Sequence, residues 1–593
     1  MEGFLNPYNF ISFPKQRAEK YNDTDKHTGY IEYEITTKKP LFIPNSSSDR
    51  AFCESDKVDE HKSYDFFSYT DLNPLERYDK EYHEPVIPGS EIRGVVRSVY
   101  ETLTDSCMGV LNEDEHPVKR TDEMFSPGLL CRSANQTFSL LPARSNRVGV
   151  AEELDEDTNE YPHPKGFQKR RNGDIEKQKD KKDTYLIKWG MGVEKKYYHR
   201  FVKKSDHVVK KLSRDAVERK MSRVLESYLS QPALSEENKQ AYEEYEKDFK
   251  DFLNGKNGQY FPVNYSEVKN SDIFYLSPAC FTKEITENTI GSLAGEFAPC
   301  KEHDCPACDL FGYIGKDNTT SRGSKIRFAD LYVKEKRDPK DYYDQEITLQ
   351  PLSGSKTGNV EFYLEKPKNA KFWTYDYHIT NEKKLVVENG KLRGRKYYWH
   401  HRKLELDKSI EPTNLNKTIR PLKENITFKG KLYFEGISNK QINQLIWILN
   451  SGSEGLGLKL GSAKPLGFGS VACNVTEVME RKIESNYKLV PLSKDGITYE
   501  SVEFSKSVKD EFYKIAGLNS VPENVEITYP KTIEQKMSGE SLTEGFNWFT
   551  NNHVVPSIGS RKDMTIVESL PHILDKDILL SYNETKEENE DSK

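Results

Sequence analysis

Cysteine and histidine are concentrated in one short stretch of this chain, residues 299–315, which reads PCKEHDCPACDLFGYIG. Three thiols and one imidazole are the soft-to-borderline ligands that close a tetrahedral zinc site. The CxxC pair inside the stretch forms a tight loop that lets two sulfurs face one ion. A redox CxxC or unrelated buried thiols are the alternatives, but the density of ligands favours zinc. The predicted metal ligands are Cys300, His303, Cys305 and Cys308.

The predicted zinc has a structural role. Four protein ligands leave no open coordination position for water, and zinc of this kind stabilises small units that have little core of their own. Cys280 is the alternative fourth ligand, if the strand before it folds alongside and replaces His303. We expect the site to hold an inserted lobe against a sheet through Leu310, Phe311 and Gly312.

A second group of residues has the chemistry of an RNA site. Residues 393–402, RGRKYYWHHR, combine four basic side chains with three aromatic rings and two histidines. Aromatic rings stack on bases while cations hold phosphates, although an amphipathic strand with core aromatics would show the same pattern. His400 and His401 are acid–base candidates on their chemistry alone. The predicted RNA-binding residues in this stretch are Arg393, Arg395, Lys396 and Tyr398.

Glycine and lysine recur in residues 455–471, GLGLKLGSAKPLGFGSV, between a predicted helix and a closing strand. Glycine permits positive φ and lets the backbone approach a ligand's phosphates. The segment is neither a P-loop nor a Rossmann loop, because it lacks their spacing and leads into a strand. A plain glycine-rich hairpin is the alternative. The predicted RNA-binding residues here are Lys459, Lys464, Gly467 and Gly469.

The remaining RNA candidates lie on a predicted helix that follows the turn at Pro88. Ser90 is a good N-cap, and apolar residues then recur at helical spacing as far as Leu103. Arg93 and Arg97 are four residues apart on one face of this helix. They are predicted, with Ser90, to contact phosphate, and ordinary surface cations are the alternative.

Composition limits the class of protein. The chain has 593 residues and a formal net charge of −7, which argues against a simple nucleic-acid coat, although residues 165–223 are strongly basic. It shows no apolar run long enough for a bilayer, no signal-peptide order at its start, and scattered cysteines outside the one cluster. We therefore expect a cytoplasmic protein with no membrane partner.

Periodicity predicts the elements that position these residues. The predicted strands cover 28–43, 273–280, 321–333, 356–363 and 428–437, a helical hairpin covers 208–252, and a helix covers 439–450.

The order of these motifs resembles the RAMP superfamily of CRISPR-associated proteins, specifically its large type III-associated subunits. The matching segments are IPGSEIRG at 87–94, CPACDLFG at 305–312, RGRKYYWHH at 393–401 and LGFGSV at 466–471. Each motif alone is weak, and their order makes the match specific.

The resemblance implies an α+β fold with a ferredoxin-like βαββαβ core, similar to an RNA-recognition motif. We expect this core over 28–475, interrupted by a basic and helical insertion at 150–260 and by the zinc-binding lobe at 299–315. A C-terminal extension would cover 476–584, and a disordered acidic tail 585–593. The implied function is guide-RNA binding in a type III CRISPR interference complex for antiviral defence, with complementary target RNA and other effector subunits as partners.

The resemblance leaves RNA cleavage open. Some family members cut target RNA with an aspartate in the loop after the first strand and a divalent metal. The alignment places Asp49 nearest that position, where it would hold Mg²⁺. The competing aspartates are Asp56, Asp59, Asp65 and Asp71. The alternative functions are a stand-alone metal-dependent endoribonuclease that processes guides and a zinc-stabilised scaffold that binds only proteins.

Overall fold

The structure is a computed structural model. It describes residues 3–45, 61–69, 81–120, 124–133, 137–150, 176–177, 184–189, 197–231, 234–256, 258–301, 304–315, 320–352, 354–404, 406–482, 487–536, 539–555 and 561–585.

Short strands dominate the described residues. In chain order they are β1 (Tyr8–Ile11), β2 (His27–Thr37), β3 (Lys62–Tyr64), β4 (Val86–Ile87), β5 (Val118–Arg120), β6 (Ser126–Arg132), β7 (Phe138–Val150), β8 (Glu176–Lys177), β9 (Thr184–Trp189), β10 (Tyr197–Lys203), β11 (Lys210–Leu212), β12 (Tyr260–Glu267), β13 (Phe274–Ser277), β14 (Lys283–Ile285), β15 (Ile326–Phe328), β16 (Leu331–Val333), β17 (Ile347–Thr348), β18 (Ala370–Trp373), β19 (His378–Thr380), β20 (Leu385–Val386), β21 (Arg395–Tyr398), β22 (Lys417–Ile419), β23 (Thr427–Ile437), β24 (Leu458–Lys459), β25 (Ser470–Lys482), β26 (Lys488–Pro491), β27 (Lys531–Lys536), β28 (Gly539–Glu544), β29 (His553–Val554), β30 (Thr565–Ile566) and β31 (Asn583–Glu584).

The α-helices of the described residues are α1 (Gly89–Leu103), α2 (Arg214–Leu229), α3 (Glu236–Leu253), α4 (Ile290–Ala294), α5 (Pro306–Phe311), α6 (Val360–Tyr363), α7 (Asn439–Leu449), α8 (Lys509–Ala516) and α9 (Phe546–Asn552). The pair α2 and α3 is the helical hairpin predicted over 208–252. None of these helices is both long enough and apolar enough to cross a membrane.

The central sheet organises the largest core. Its strand order is β24-β25-β2-β23-β16-β4, and β2 pairs antiparallel with β23 on one side and β25 on the other. Side chains alternate between the two faces of a strand. In β23, Phe428 and Leu432 point into the core, whereas Lys429 and Tyr433 point to solvent. The buried face packs against α1 and α7, so both helices cover the same side of the sheet.

Local chemistry explains where several of these elements begin and end. At the start of α7, the Ser438 hydroxyl accepts from the Gln441 N–H and the Gln441 side chain accepts from the Ser438 N–H, which is a capping box. The first long strand was predicted over 28–43, but β2 ends at Thr37. The N–H groups of Lys38 and Lys39 donate to Ser470, and Pro40, which has no N–H, follows.

The strand predicted over 356–363 is wrong. The chain turns there, with the Asn359 N–H donating to the Lys356 carbonyl at 2.9 Å, and then forms the short helix α6. Val360, Glu361 and Phe362 are all buried, because the segment packs on more than one side. An alternating pattern assumes one buried face, and that assumption fails here.

A second sheet, ordered β13-β12-β6-β7-β10-β9-β8, packs against α2 and α3. It begins at Ser126 and ends at Ser277, so this layer extends beyond the predicted insertion at 150–260. The C-terminal extension returns to the start of the chain, where the Leu5 N–H donates to the Glu526 carbonyl at 2.8 Å. Residues 586–593 of the predicted acidic tail lie outside the described residues.

Candidate metal centre and candidate RNA interface

Four cysteine thiols meet in the main core: Cys107, Cys300, Cys305 and Cys308. Their Sγ atoms all lie within 4.8 Å of one another, and all four residues are buried. The Sγ of Cys107 is 3.4 Å from that of Cys308 and 3.6 Å from that of Cys305. We call this group the thiol cluster.

The elements around the thiol cluster fix its geometry. Cys305 is the N-cap of α5, with Pro306 at the first helical position, and the Cys308 N–H donates to the Cys305 sulfur at 3.4 Å. Cys107 comes from the turn that ends α1, where Asp105 adopts a positive φ of 50°. The helix α5 is held against α1, because the ring of Phe311 packs on the ring of Tyr100 with their centroids 5.7 Å apart.

The donor set fits a soft divalent metal such as zinc. Zn–S bonds of about 2.3 Å in a tetrahedron place the sulfurs roughly 3.8 Å apart, close to the separations in the thiol cluster. Four thiolates and one divalent ion carry a net negative charge, which nearby cations offset. Arg17 Nη1 donates to the Cys300 sulfur at 3.6 Å.

The hydrogen bonds between the thiols also shift the pKa values of Cys305 and Cys308 in opposite directions. Hydrogen bonding to Cys107, more than to any other group, lowers the pKa of the Cys305 thiol. The pKa of Cys308 rises, because its thiol acts as a donor to the same group of sulfurs. One thiol of the cluster therefore gives up its proton readily, which is the step that starts metal binding.

The structure brings together three of the four predicted ligands and adds a cysteine that was not predicted. Cys107 occupies the remaining position, 201 residues before Cys308. His303 lies outside the described residues, and the alternative, Cys280, is not part of the cluster, its carbonyl instead accepting from the Phe125 N–H. The cluster also lies inside the main core and not in a separate lobe. One feature of the sequence pointed to Cys107 as a ligand: it follows Leu103, the last apolar residue of α1, by four residues.

A cavity of about 330 Å³ lies at the other end of α1. Its walls are α1 from Ser90 to Val99, the segment from β21 to His400, the glycine-rich segment around β24, and α8 of the C-terminal extension. We call it the lysine cavity. The predicted RNA-binding residues that line it are Ser90, Lys396, Tyr398, Lys459 and Lys464.

Among the residues that the structure describes, the three lysines of this cavity form no ion pair with a carboxylate, although Glu91 also lines it. Lys459 Nζ donates to the carbonyls of Gly467 at 3.3 Å and Phe468 at 3.1 Å. Burial, together with repulsion from Lys464, lowers the pKa of Lys459 to about 7. Burial also lowers the pKa of Lys464, although the carboxylate of Glu91 partly opposes this shift. The cavity therefore favours an anion, which would restore the charge that burial disfavours.

The two glycines predicted to bind RNA, Gly467 and Gly469, shape the protein's own backbone. Gly467 has φ of 95°, and a Cβ there would lie 2.9 Å from the His401 ring. Gly469 has φ of 76°, and its Cβ would lie 2.0 Å from the Leu460 carbonyl oxygen. These close approaches are to the protein's own atoms. The two glycines shape the loop so that its carbonyls can hold Lys459.

The four predicted RNA-binding arginines are engaged inside the protein. Arg93 donates to the Phe311 carbonyl at 2.7 Å, and Arg97 forms a 2.7 Å ion pair with Glu101. Arg393 donates to the Leu364 carbonyl at 3.0 Å. The guanidinium of Arg395 lies 5.2 Å from the centroid of the Phe13 ring. Each arginine contacts a neighbouring segment of the fold, and the phosphate contacts of the four arginines stay predictions.

The two histidines are poorly suited to acid–base chemistry at neutral pH. Burial lowers the pKa of His401 to about 3 and places that of His400 well below its usual value. The Nδ1 of His400 lies 2.9 Å from the Ser470 hydroxyl. Both rings therefore remain neutral and contribute to packing and hydrogen bonding.

The predicted catalytic aspartate, Asp49, lies outside the described residues, as do Asp56, Asp59 and Asp71. Asp65 is described, and it forms a buried 2.9 Å ion pair with Arg420. Removing one partner of such a pair leaves an uncompensated buried charge. Asp65 therefore has a structural role, which removes it from the competing aspartates.

A family model of the RAMP superfamily matches residues 34–289. The chain is similar to the RAMP superfamily over this range. The match includes the last four residues of β2, all of α1 and the first cysteine of the thiol cluster, and it confirms the resemblance to this superfamily. No curated protein matches this chain.

Chains of two cryo-EM structures of the type III-B Cmr-beta complex are similar to this chain at 11% sequence identity. For the complex bound to cognate target RNA, the alignment covers 76% of this chain and 98% of that chain, with a TM-score of 0.19. For the apo state it covers 76% and 97%, with a TM-score of 0.17.

Proposed function

We propose that this chain is a guide-RNA-binding subunit of a type III CRISPR interference complex. The observation that carries the proposal is the convergence of three separate sequence segments on the lysine cavity. Lysine side chains and a helix N-terminus bind phosphate without reading sequence, which suits a protein that must accept any guide. Base pairing by the guide would then select the target RNA.

The central sheet supports a ferredoxin-like core. Its principal elements follow the chain order β2, α1, β16, β23, α7, β25, which is a βαββαβ sequence. Numbered one to four along the chain, these strands lie side by side as four, one, three, two. That order and the placing of both helices on one face are those of a ferredoxin-like sheet, related to RNA-recognition motifs.

The thiol cluster holds structural zinc in this proposal. It joins the end of α1 to α5 within the main core, so the ion ties the helix that supports the lysine cavity to a distant part of the chain. Four thiolate ligands complete the coordination, which leaves no position for a reacting water.

The test of the function is to purify the chain together with the products of its neighbouring genes and to sequence any bound RNA. Guide RNA bound in a salt-sensitive way supports the proposal, because counterion release makes phosphate binding depend steeply on salt. Recovery of the protein partners without RNA would instead favour the scaffold function.

Target cleavage is a separate part of the proposal, in which Asp49 holds Mg²⁺ near the scissile phosphate. The assembled complex is assayed for guide-directed cutting of a complementary RNA with wild type and Asp49→Ala. The variant is expected to bind target and not to cut it. Unchanged cutting would reject this role for Asp49.

A further inference from the structure

The connection between β1 and β2 runs across the thiol cluster. Residues 12–20 of this connection form neither helix nor strand, and we call them the strap. Three hydrogen bonds join the strap to the three chain segments that carry the thiols. Their donors and acceptors are the Ala18 N–H and the Asp105 carbonyl at 2.8 Å, Arg17 Nη1 and the Cys300 sulfur at 3.6 Å, and the Lys20 N–H and the Asp304 carbonyl at 3.1 Å. Asp105 lies just before Cys107, and Asp304 lies just before Cys305.

The strap has little apolar core of its own. None of its residues is buried, although the ring of Phe13 stacks on that of Phe297 with centroids 4.7 Å apart. The four cysteines next to it are all buried, so a metal ion needs a path to reach them. Segments with few buried apolar contacts open at a lower cost in free energy than packed helices do. We therefore expect the strap to open more readily than α1 or α5 unfolds.

Two cations connect the strap with the thiol cluster. The guanidinium of Arg17 keeps its charge at any ordinary pH, and it donates to the Cys300 sulfur. The buried guanidinium of Arg395 lies 5.2 Å from the centroid of the Phe13 ring and donates to the Ser106 carbonyl in the turn after α1. Among the described residues, the Nε of Arg395 has no hydrogen-bond partner. A buried cation needs a compensating negative charge nearby, which a divalent ion with four thiolates would supply.

We propose that the strap opens to admit a divalent metal ion to the thiol cluster and closes over the ion through Arg17. Each thiol gives its proton to solvent as its sulfur binds the metal, so the loaded centre is an anion. The hydrogen bond from Arg17 to Cys300 is then assisted by charge on both partners, which holds the strap closed. The inference rests on the proposed metal centre and adds the route by which the metal enters and leaves.

Arg17→Gln tests the closing contact without touching a metal ligand. The variant loses the cation and keeps an amide that can donate hydrogen bonds. Arg17→Lys retains the charge, and Lys15→Gln is the matched control, because Lys15 is an exposed cation of the same strap. The full chain of each variant is loaded with zinc, and its zinc content is measured by metal analysis. The rate of zinc release is then followed with an excess of a chromophoric zinc chelator.

We expect all four proteins to bind zinc to the same content when zinc is saturating. Arg17→Gln is expected to release zinc about tenfold faster than wild type, the effect of losing one hydrogen bond to a charged group. Lys15→Gln is expected to release zinc at the wild-type rate, and Arg17→Lys to restore most of the slow release. A role of Arg17 in folding alone would not give this rescue by charge.

Hydrogen exchange of the wild-type chain gives a second readout that needs no variant. The strap amides are those of Ala18 and Lys20, whereas the amides of Asp309 and Gly312 donate to the Cys305 and Cys308 carbonyls at 2.9 and 3.0 Å. We expect the strap amides to exchange faster than these two and at least as fast as zinc is released. One common exchange rate for both pairs would mean that metal leaves by unfolding of the whole site, which would overturn the proposal.

The outcomes separate the strap from the metal centre. Zinc release at the wild-type rate in Arg17→Gln would overturn the strap and leave the centre intact. Equally fast release in Arg17→Gln and Lys15→Gln would reject Arg17 as the closing contact, because any cation of the strap would then serve. A wild-type chain that binds no zinc would reject the proposed metal centre and the strap together.

Discussion

The thiol cluster and the lysine cavity stand at opposite ends of the same helix, α1, and each gathers like groups in a buried place. In the thiol cluster the four donors point at one another, with all sulfurs within 4.8 Å. The lysine cavity is a space of about 330 Å³ whose lining includes Lys396, Lys459 and Lys464. The difference supports our proposals that the first site holds a metal ion that stabilises the fold and that the second receives a larger anion from outside.

The largest expected effect, on folding, comes from removing metal ligands of the thiol cluster. In Cys305→Ser with Cys308→Ser, two of four ligands are removed, and apparent zinc-binding free energies of about 10–16 kcal/mol show how much folding can depend on such a site. We expect loss of bound zinc and of the cooperative unfolding transition, measured by metal analysis and circular dichroism. Cys131→Ser, outside the cluster, is the control. Normal folding of the double variant would contradict a stabilising metal.

A sharper test identifies the fourth ligand. Cys107→Ser is expected to lower zinc content as much as substitution of Cys300, because both sulfurs belong to the thiol cluster. His303→Ala is expected to retain the metal. Metal analysis of the two variants decides between four thiols and three thiols with one imidazole. The reverse result would show that His303 is the fourth metal ligand and that Cys107 is not a ligand.

At the open site, the expected effect is on RNA binding and not on folding. Lys396→Gln, Lys459→Gln and Lys464→Gln together remove three cations but keep side-chain amides that can donate to the loop carbonyls. We expect weaker RNA binding, with a slope against log salt that is shallower by about one for each phosphate these lysines neutralise. The matched control replaces Lys239, Lys247 and Lys250 of α3 with glutamine. Equal weakening in both triple variants would show that only overall charge matters.

The smallest expected effect is that of pH on the same lysines. Lys459 has a pKa of about 7 in the folded chain and 10.5 as the ordinary value. Its charge is lost as pH rises through 7, so RNA binding is expected to weaken between about pH 6 and pH 8. The other charged groups that act on Lys459 are the cations Lys464 and Lys39, and the two neighbouring histidines are neutral. The carboxylate of Glu91 opposes the effect of burial on Lys464. Lys459→Gln should bind RNA with a shallower pH dependence.

Stability of the RNA-free protein should change in the opposite direction. Between pH 7 and 10.5 the unfolded state holds the proton of Lys459 more tightly than the folded state does. The free energy of unfolding therefore rises with pH over this window, by at most about 1.4 kcal/mol per pH unit from this group. Denaturant unfolding of wild type and Lys459→Gln at several pH values measures the difference. Parallel pH profiles would contradict the burial of a charged lysine.

The sequence predicted well those features that depend on neighbouring residues. The CxxC pair, the strand β23, the helix α7 with its cap, and the α2–α3 hairpin each follow from local periodicity or spacing. It predicted the similarity to the RAMP superfamily for the same reason, because the motifs are short and contiguous. The strand predicted over 356–363 failed where more than one side of the segment is buried, since periodicity alone cannot show packing from two directions.

Only the tertiary structure decided which of the candidate groups meet. Cys107 reaches the thiol cluster because the end of α1 returns to α5, which brings together residues 201 positions apart. The same long-range packing brings lysines from two segments and α8 to one cavity, while it occupies the arginines with carbonyls, a carboxylate and aromatic rings. Spacing along the chain determines the chemistry that a segment can offer. The groups that each side chain contacts come from distant segments. Those contacts form only when the core packs, so the sequence alone does not predict them.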